Sequence, residues 1–116
     1  MSVEQSHQSA SAEILEIGTS RTREEYVIEL AGELDLSGVA RVGEVFAAAL
    51  DTDAREIVLD LRDLQFLDST GVYAILKAER LASARDRSFV IVRGPRQVQR
   101  IFEISGIVDL LSFSDG

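Results

Sequence analysis

Three kinds of hydrophobic pattern follow one another along this chain. Residues 25–32 alternate Tyr26, Ile28 and Leu30 with Val27, Glu29 and Ala31, the two-residue period of a strand. Residues 13–18, with Ile14, Leu15 and Ile17, suggest a shorter strand paired antiparallel with it across the polar connection 19–24. Residues 33–38 read as a loop. A helix is expected from 39 to 50, because Val39, Val42, Phe46, Ala49 and Leu50 fall on one face, and Ser37 suits its N-cap.

The next pattern is a continuous apolar run. Ile57-Val58-Leu59-Asp60-Leu61 reads as a central strand covered on both faces, with Asp60 placed toward the strand's end. Residues 62–67 link it to a second helix over 69–84, whose inward stripe is Ala74, Ile75, Ala78, Leu81 and Ala82. Phe89-Val90-Ile91-Val92 is a second buried strand. Pro95 and Gly106 bracket a third helix with Val98, Ile101 and Phe102 inward. The tail 107–113 ends in a short strand near 110–113. Strand–helix–strand units imply parallel neighbours joined by right-handed crossovers. The expectation is an α/β fold, a mixed four- or five-stranded sheet with helices packed on it, in one domain over 13–116. Residues 1–12 are polar and aperiodic and read as a disordered leader. No internal repeat stands out.

Composition narrows the chemistry. There is no cysteine, and His7 is the only histidine. Disulfides, thiol nucleophiles and histidine-based triads are excluded. The net charge of −8 disfavours nucleic acid and anionic membranes as partners. No apolar run reaches the length of a membrane span, and the first ten residues lack the apolar middle of a signal peptide. These features suit a cytoplasmic protein. Between Lys77 and Arg100 there are seven basic residues against two acidic ones, which leaves −13 on the rest of the chain. That stretch is either a set of solvated helix faces or a patch for an acidic partner.

The chemistry concentrates in Asp68-Ser69-Thr70-Gly71, where a loop meets a helix. Helix N-termini carry free N–H groups and partial positive charge, and so tolerate a phosphate. Asp and Ser are also ordinary helix caps, so the four residues alone allow either reading. Phe66-Leu67 and Val72-Tyr73 frame the motif with apolar side chains. Val72 and Leu76 either lie partly exposed as a docking surface or widen the buried face. No G-x-S-x-G elbow, Walker A loop or nearby His or Cys supports an enzyme.

Four segments fall in a telling order: Leu30-Ala31-Gly32-Glu33-Leu34-Asp35, Ile57–Leu61 leading into Phe66-Leu67-Asp68-Ser69-Thr70-Gly71, Val92-Arg93-Gly94-Pro95 and Phe102-Glu103-Ile104-Ser105-Gly106. Together they resemble the STAS domain of the bacterial anti-sigma factor antagonist family. The resemblance covers about residues 13–113. It implies a non-catalytic switch without a cofactor of its own. Ser69, rather than Thr70, would be phosphorylated by an anti-sigma factor that is also a serine kinase. The unphosphorylated form would bind that kinase and free a sigma factor, and a serine phosphatase would restore binding. Asp35, Leu36 and Ser37 would share the interface, with Val72 and Leu76 as further candidates. The protein would be a monomer or weak dimer. The alternative is a scaffold subunit of a stressosome-like or transporter-associated complex.

Overall fold

The computed structural model describes residues 14–116, so the expected leader 1–12 lies outside the described residues. The elements are strand β1 (Leu15–Arg21), β2 (Glu25–Leu34), helix α1 (Leu36–Leu50), β3 (Glu56–Leu67), α2 (Ser69–Ala84), β4 (Ser88–Val92), α3 (Arg96–Ser105), a 3-10 turn (Val108–Leu110) and β5 (Phe113–Ser114). The strands lie in sequence order, β1-β2-β3-β4-β5. The first pair is antiparallel and the rest are parallel. This is the mixed sheet expected from the pattern.

Three parallel crossovers step in the same direction along the sheet, and with the usual right-handed crossover all three helices fall on one face. Side-chain parity agrees. Ile28, Leu30, Ile57, Leu59, Leu61, Phe89 and Ile91 point into one core with Val42, Phe46, Ile75, Val98 and Phe102 from the helices. Their neighbours Val27, Val58 and Val90 lie outside that core and are only half-buried. The expectation that 57–61 is covered on both faces is therefore corrected. Its apolar run reflects burial on one side and a valine on the other.

Residues 62–67 are not a link but the second half of a twelve-residue β3. Leu64 and Leu67 stay fully inward, which the polar neighbours Arg62, Asp63 and Gln65 obscured. Two register shifts between β2 and β3 accommodate the long strand. Gly32 sits at one of them with φ +100°, a conformation open to glycine but costly for other residues.

Asp60 does not lie at a strand end. It sits mid-strand on the open face, 7% exposed. Arg62, two residues on and so on the same face, grips it: Nη2 donates to Oδ2 at 2.8 Å, Nε to Oδ1 at 3.1 Å, and the Arg62 N–H to Oδ1 at 3.0 Å. The Arg62 side chain, aided by its backbone N–H and its charge, holds the Asp60 carboxyl below the ordinary 3.8, against the effect of burial. A carboxyl whose pKa falls on folding stabilises the fold above its unfolded pKa. That contribution is lost as pH drops through the folded value. Asp60→Asn should flatten the acid limb of stability below about pH 4, read from urea melts across pH. An unchanged limb would mean the pair does not favour the folded state.

Part of the basic stretch has a structural task. Arg85 Nη1 donates to Leu50 O at 3.1 Å, and Arg87 donates to Ala54 O at 3.0 Å and Leu50 O at 3.3 Å. They satisfy carbonyls at and beyond the end of α1 that the helix itself leaves free. Arg93 pairs with Asp115 at 2.7 Å and lies 5.6 Å from the centre of the Phe113 ring. The last strand begins at Phe113, because Val108–Leu110 forms a 3-10 turn instead.

Candidate functional site

The parallel strands β2 and β3 end side by side, Leu34 in register with Leu67. A helix starts directly after each. The two junctions carry the same five-residue pattern, Leu34-Asp35-Leu36-Ser37-Gly38 and Leu67-Asp68-Ser69-Thr70-Gly71. The meaning of this short repeat is geometric, since each copy closes a strand and opens a helix.

In each copy the aspartate is the N-cap. Asp35 Oδ1 accepts from the Ser37 N–H at 2.9 Å and from the Ser37 hydroxyl at 2.6 Å. Asp68 Oδ1 accepts from the Gly71 N–H at 3.0 Å and from the Thr70 hydroxyl at 2.6 Å. Asp35, and not Ser37, therefore caps α1, which starts three residues earlier than expected. The Ser37 hydroxyl, then its N–H, holds the Asp35 carboxyl below the ordinary range. The two mouths are tied directly by the Asp68 N–H, which donates to Leu34 O at 3.3 Å.

The glycines are structural. Both are buried. A methyl at Gly71 would fall 2.6 Å from Leu67 Cδ1 and 3.0 Å from Leu34 Cγ, and one at Gly38 would fall 2.7 Å from Leu15 Cδ2. Gly71 thus serves close packing of α2 on the strand ends. It is not an opening for an incoming backbone or nucleotide.

The repeat separates the two hydroxyls. Thr70 occupies the position of Ser37, half-buried, with its hydroxyl spent on the cap. Ser69 occupies the position of Leu36, which is 70% exposed. Ser69 is itself exposed, and its hydroxyl makes no hydrogen bond within the described residues. Ser69→Ala should therefore change stability by less than about 0.5 kcal/mol, whereas Asp68→Ala should cost about 1 kcal/mol through the lost cap. Urea denaturation of both variants tests this. Equal losses would return Ser69 to a capping role.

The surroundings correct the expected docking residues. Val72 is 1% exposed and Leu76 8%. Both pack inward, because the helix is buried on a wider arc than its central stripe. The exposed apolar side chains are Leu36 and, one turn on from Ser69, Tyr73 at 68%. Leu67 is buried, while Phe66 is exposed and points to the opposite side of the sheet from Leu67. Leu81, expected inward, is 45% exposed. It lines a groove of about 640 Å³ between α1 and α2, together with Val39, Phe46, Thr70, Tyr73 and Ala74. The groove reaches Thr70 and so begins beside Ser69. Among the described residues no group of His, Cys, Asp and Glu could hold a metal ion, and no helix is long and apolar enough to cross a membrane.

A family model described as "Mlab, STAS domain" matches residues 17–112. The chain belongs to the STAS-domain family. Its STAS fold is similar to that of solved relatives. The anti-sigma factor antagonist SpoIIAA in its unphosphorylated form shares 26% identity and a TM-score of 0.72 over 85% of this chain and 88% of that one. The Bacillus cell fate determinant SpoIIAA in the phosphorylated form gives 25% and 0.66 over 85% and 91%. In sequence, the anti-sigma-B factor antagonist of Staphylococcus aureus is 28% identical over 102 residues, 88% of this STAS chain and 94% of that protein.

Proposed function

We propose that this STAS domain is a cytoplasmic anti-sigma factor antagonist switched by phosphorylation of Ser69. In its unphosphorylated form it binds a cognate anti-sigma factor that is also a serine kinase, and a sigma factor is released. The kinase transfers a phosphoryl group from its own ATP to the Ser69 hydroxyl, whose proton leaves, and ADP departs. A serine phosphatase hydrolyses the ester and resets the switch. ATP and metal ions belong to those partners.

One observation carries the reading. Within a duplicated helix cap, the hydroxyl that the cap needs is Thr70, and Ser69 is exposed, its hydroxyl making no hydrogen bond among the described residues. A serine that is not required for folding can be modified without unfolding the domain. The names of the relatives support the role, and SpoIIAA is known in both unphosphorylated and phosphorylated forms.

The mechanism follows from electrostatics. The Asp68 carboxylate already fills the α2 mouth by capping Gly71 and Thr70. A phosphate on Ser69 adds nearly two charges beside it. Repulsion turns it outward, into the surface formed by Leu36, Tyr73 and the α1–α2 groove. A partner covering that surface would have to desolvate the phosphate. Asp35, Leu36 and Ser37 join the interface because their helix mouth is bonded to that of Ser69.

Phosphopeptide mapping after incubation with the cognate kinase and ATP should place the label on Ser69. Label on Thr70 with Ser69 untouched would overturn the assignment. The scaffold alternative, a subunit of a stressosome-like or transporter-associated complex, draws on the same family. It predicts stable assembly that is indifferent to Ser69.

A further inference from the structure

The face of the sheet opposite the helices carries a pattern that the switch does not use. Side chains on β2, β3 and β4 form rows across it, because these strands pair in register. Val27, Val58 and Val90 make one row. Glu25 and Glu56 face each other in the row on one side, and Glu29 and Asp60 in the row on the other. Like charges directly opposite on adjacent strands are destabilising. Asp60 is compensated by Arg62, whose charge also attracts Glu29 from within the same hollow. Among the described residues Glu56 accepts a hydroxyl from Ser88 at 3.2 Å, and neither Glu25 nor Glu29 is in an ion pair within 4 Å. The face is slightly concave, with about 400 Å³ of space over these residues.

We infer that this face docks a basic amphipathic helix of a protein partner, distinct from the partner that meets Ser69. The geometry favours a helix lying across the strands. Adjacent strands are about 4.8 Å apart, so the valine row is roughly 10 Å long, and the acidic rows lie roughly 6–7 Å to either side. A helix is about 10 Å across. Its apolar stripe would cover Val27, Val58 and Val90, and Lys or Arg on both flanks would reach Glu25 and Glu56 on one side and Glu29 on the other. The charges choose the occupant. A second copy meeting the same face would oppose acid to acid, and an anionic membrane would be repelled.

The test uses a synthetic amphipathic helix of about 14 residues, long enough to span five strands, with a Leu/Val stripe flanked by lysines. A scrambled peptide of the same composition is the control. Titration into the isotope-labelled full chain should shift the amides of Val27, Val58 and Val90, and the scrambled peptide should not. Glu29→Gln with Glu56→Gln should weaken the peptide by about three- to tenfold. The same pair should raise Tm by about 2–4 °C at low salt, a gain that high salt removes. Ser69→Glu should leave peptide binding unchanged, so the result stands apart from the switch. Equal binding of the scrambled peptide, shifts confined to the α1–α2 groove, or no rise in Tm would overturn the inference. So would nuclear Overhauser contacts from residues 1–13 to Val58 in the free chain. Concentration-dependent self-association lost in the double variant would likewise overturn it, by giving the face to a second copy.

Discussion

Ser69→Glu should bind its anti-sigma factor roughly 30- to 1,000-fold more weakly than the wild type, a loss of about 2–4 kcal/mol. Ser69→Ala should bind as tightly as the wild type and resist phosphorylation. The size of the loss comes from desolvation. Ser69 is exposed, next to Leu36 and Tyr73, which are 70% and 68% exposed. A partner that buries those two side chains also buries position 69. A carboxylate there loses its water and lies beside Asp68. Glutamate carries about one charge and phosphoserine nearly two, so the phosphorylated protein should bind more weakly still. Calorimetric titration against the purified partner measures all three. Wild-type affinity in Ser69→Glu would sink the charge-switch mechanism.

Gly71→Ala should destabilise the domain by about 1–3 kcal/mol. The sign is the informative part. In an exposed helix interior the same change stabilises by about 1 kcal/mol, because alanine is the better helix former. At Gly71 the new methyl would sit 2.6 Å from Leu67 Cδ1 and 3.0 Å from Leu34 Cγ. Those leucines are 2% and 0% exposed and have nowhere to move. Gly43 on α1 is the control, since a methyl there meets nothing within 4 Å. Gly43→Ala should be stabilising where Gly71→Ala is not. Denaturant midpoints compare them directly. A stabilised Gly71→Ala would mean that α2 does not pack on the strand ends as described.

Much of the architecture was legible in the sequence because burial on one face leaves a period. The alternation in β2 and the helical spacing of Val42, Phe46 and Ala49 mark both elements. Boundaries were less legible. The second half of β3, Arg62-Asp63-Leu64-Gln65-Phe66-Leu67, breaks strict alternation across a register shift, which disguises it as a link. The start of α1 was missed because Leu36, an apolar residue, is exposed there. Helical spacing also placed Val72 and Leu76 on a flank, without saying that the flank is covered.

By itself the sequence determined the class of fold, the excluded chemistries and the motif around Ser69. It also contained both Leu-Asp-x-Ser/Thr-Gly segments, 33 residues apart. It did not determine which hydroxyl was spent on structure. That needed the tertiary pairing of β2 with β3, which sets the two helix mouths side by side and lets one explain the other. The open valine and glutamate face was likewise decided only by the fold. A hydrophobicity pattern shows that alternate residues differ, but the handedness of the crossovers decides which side the helices cover.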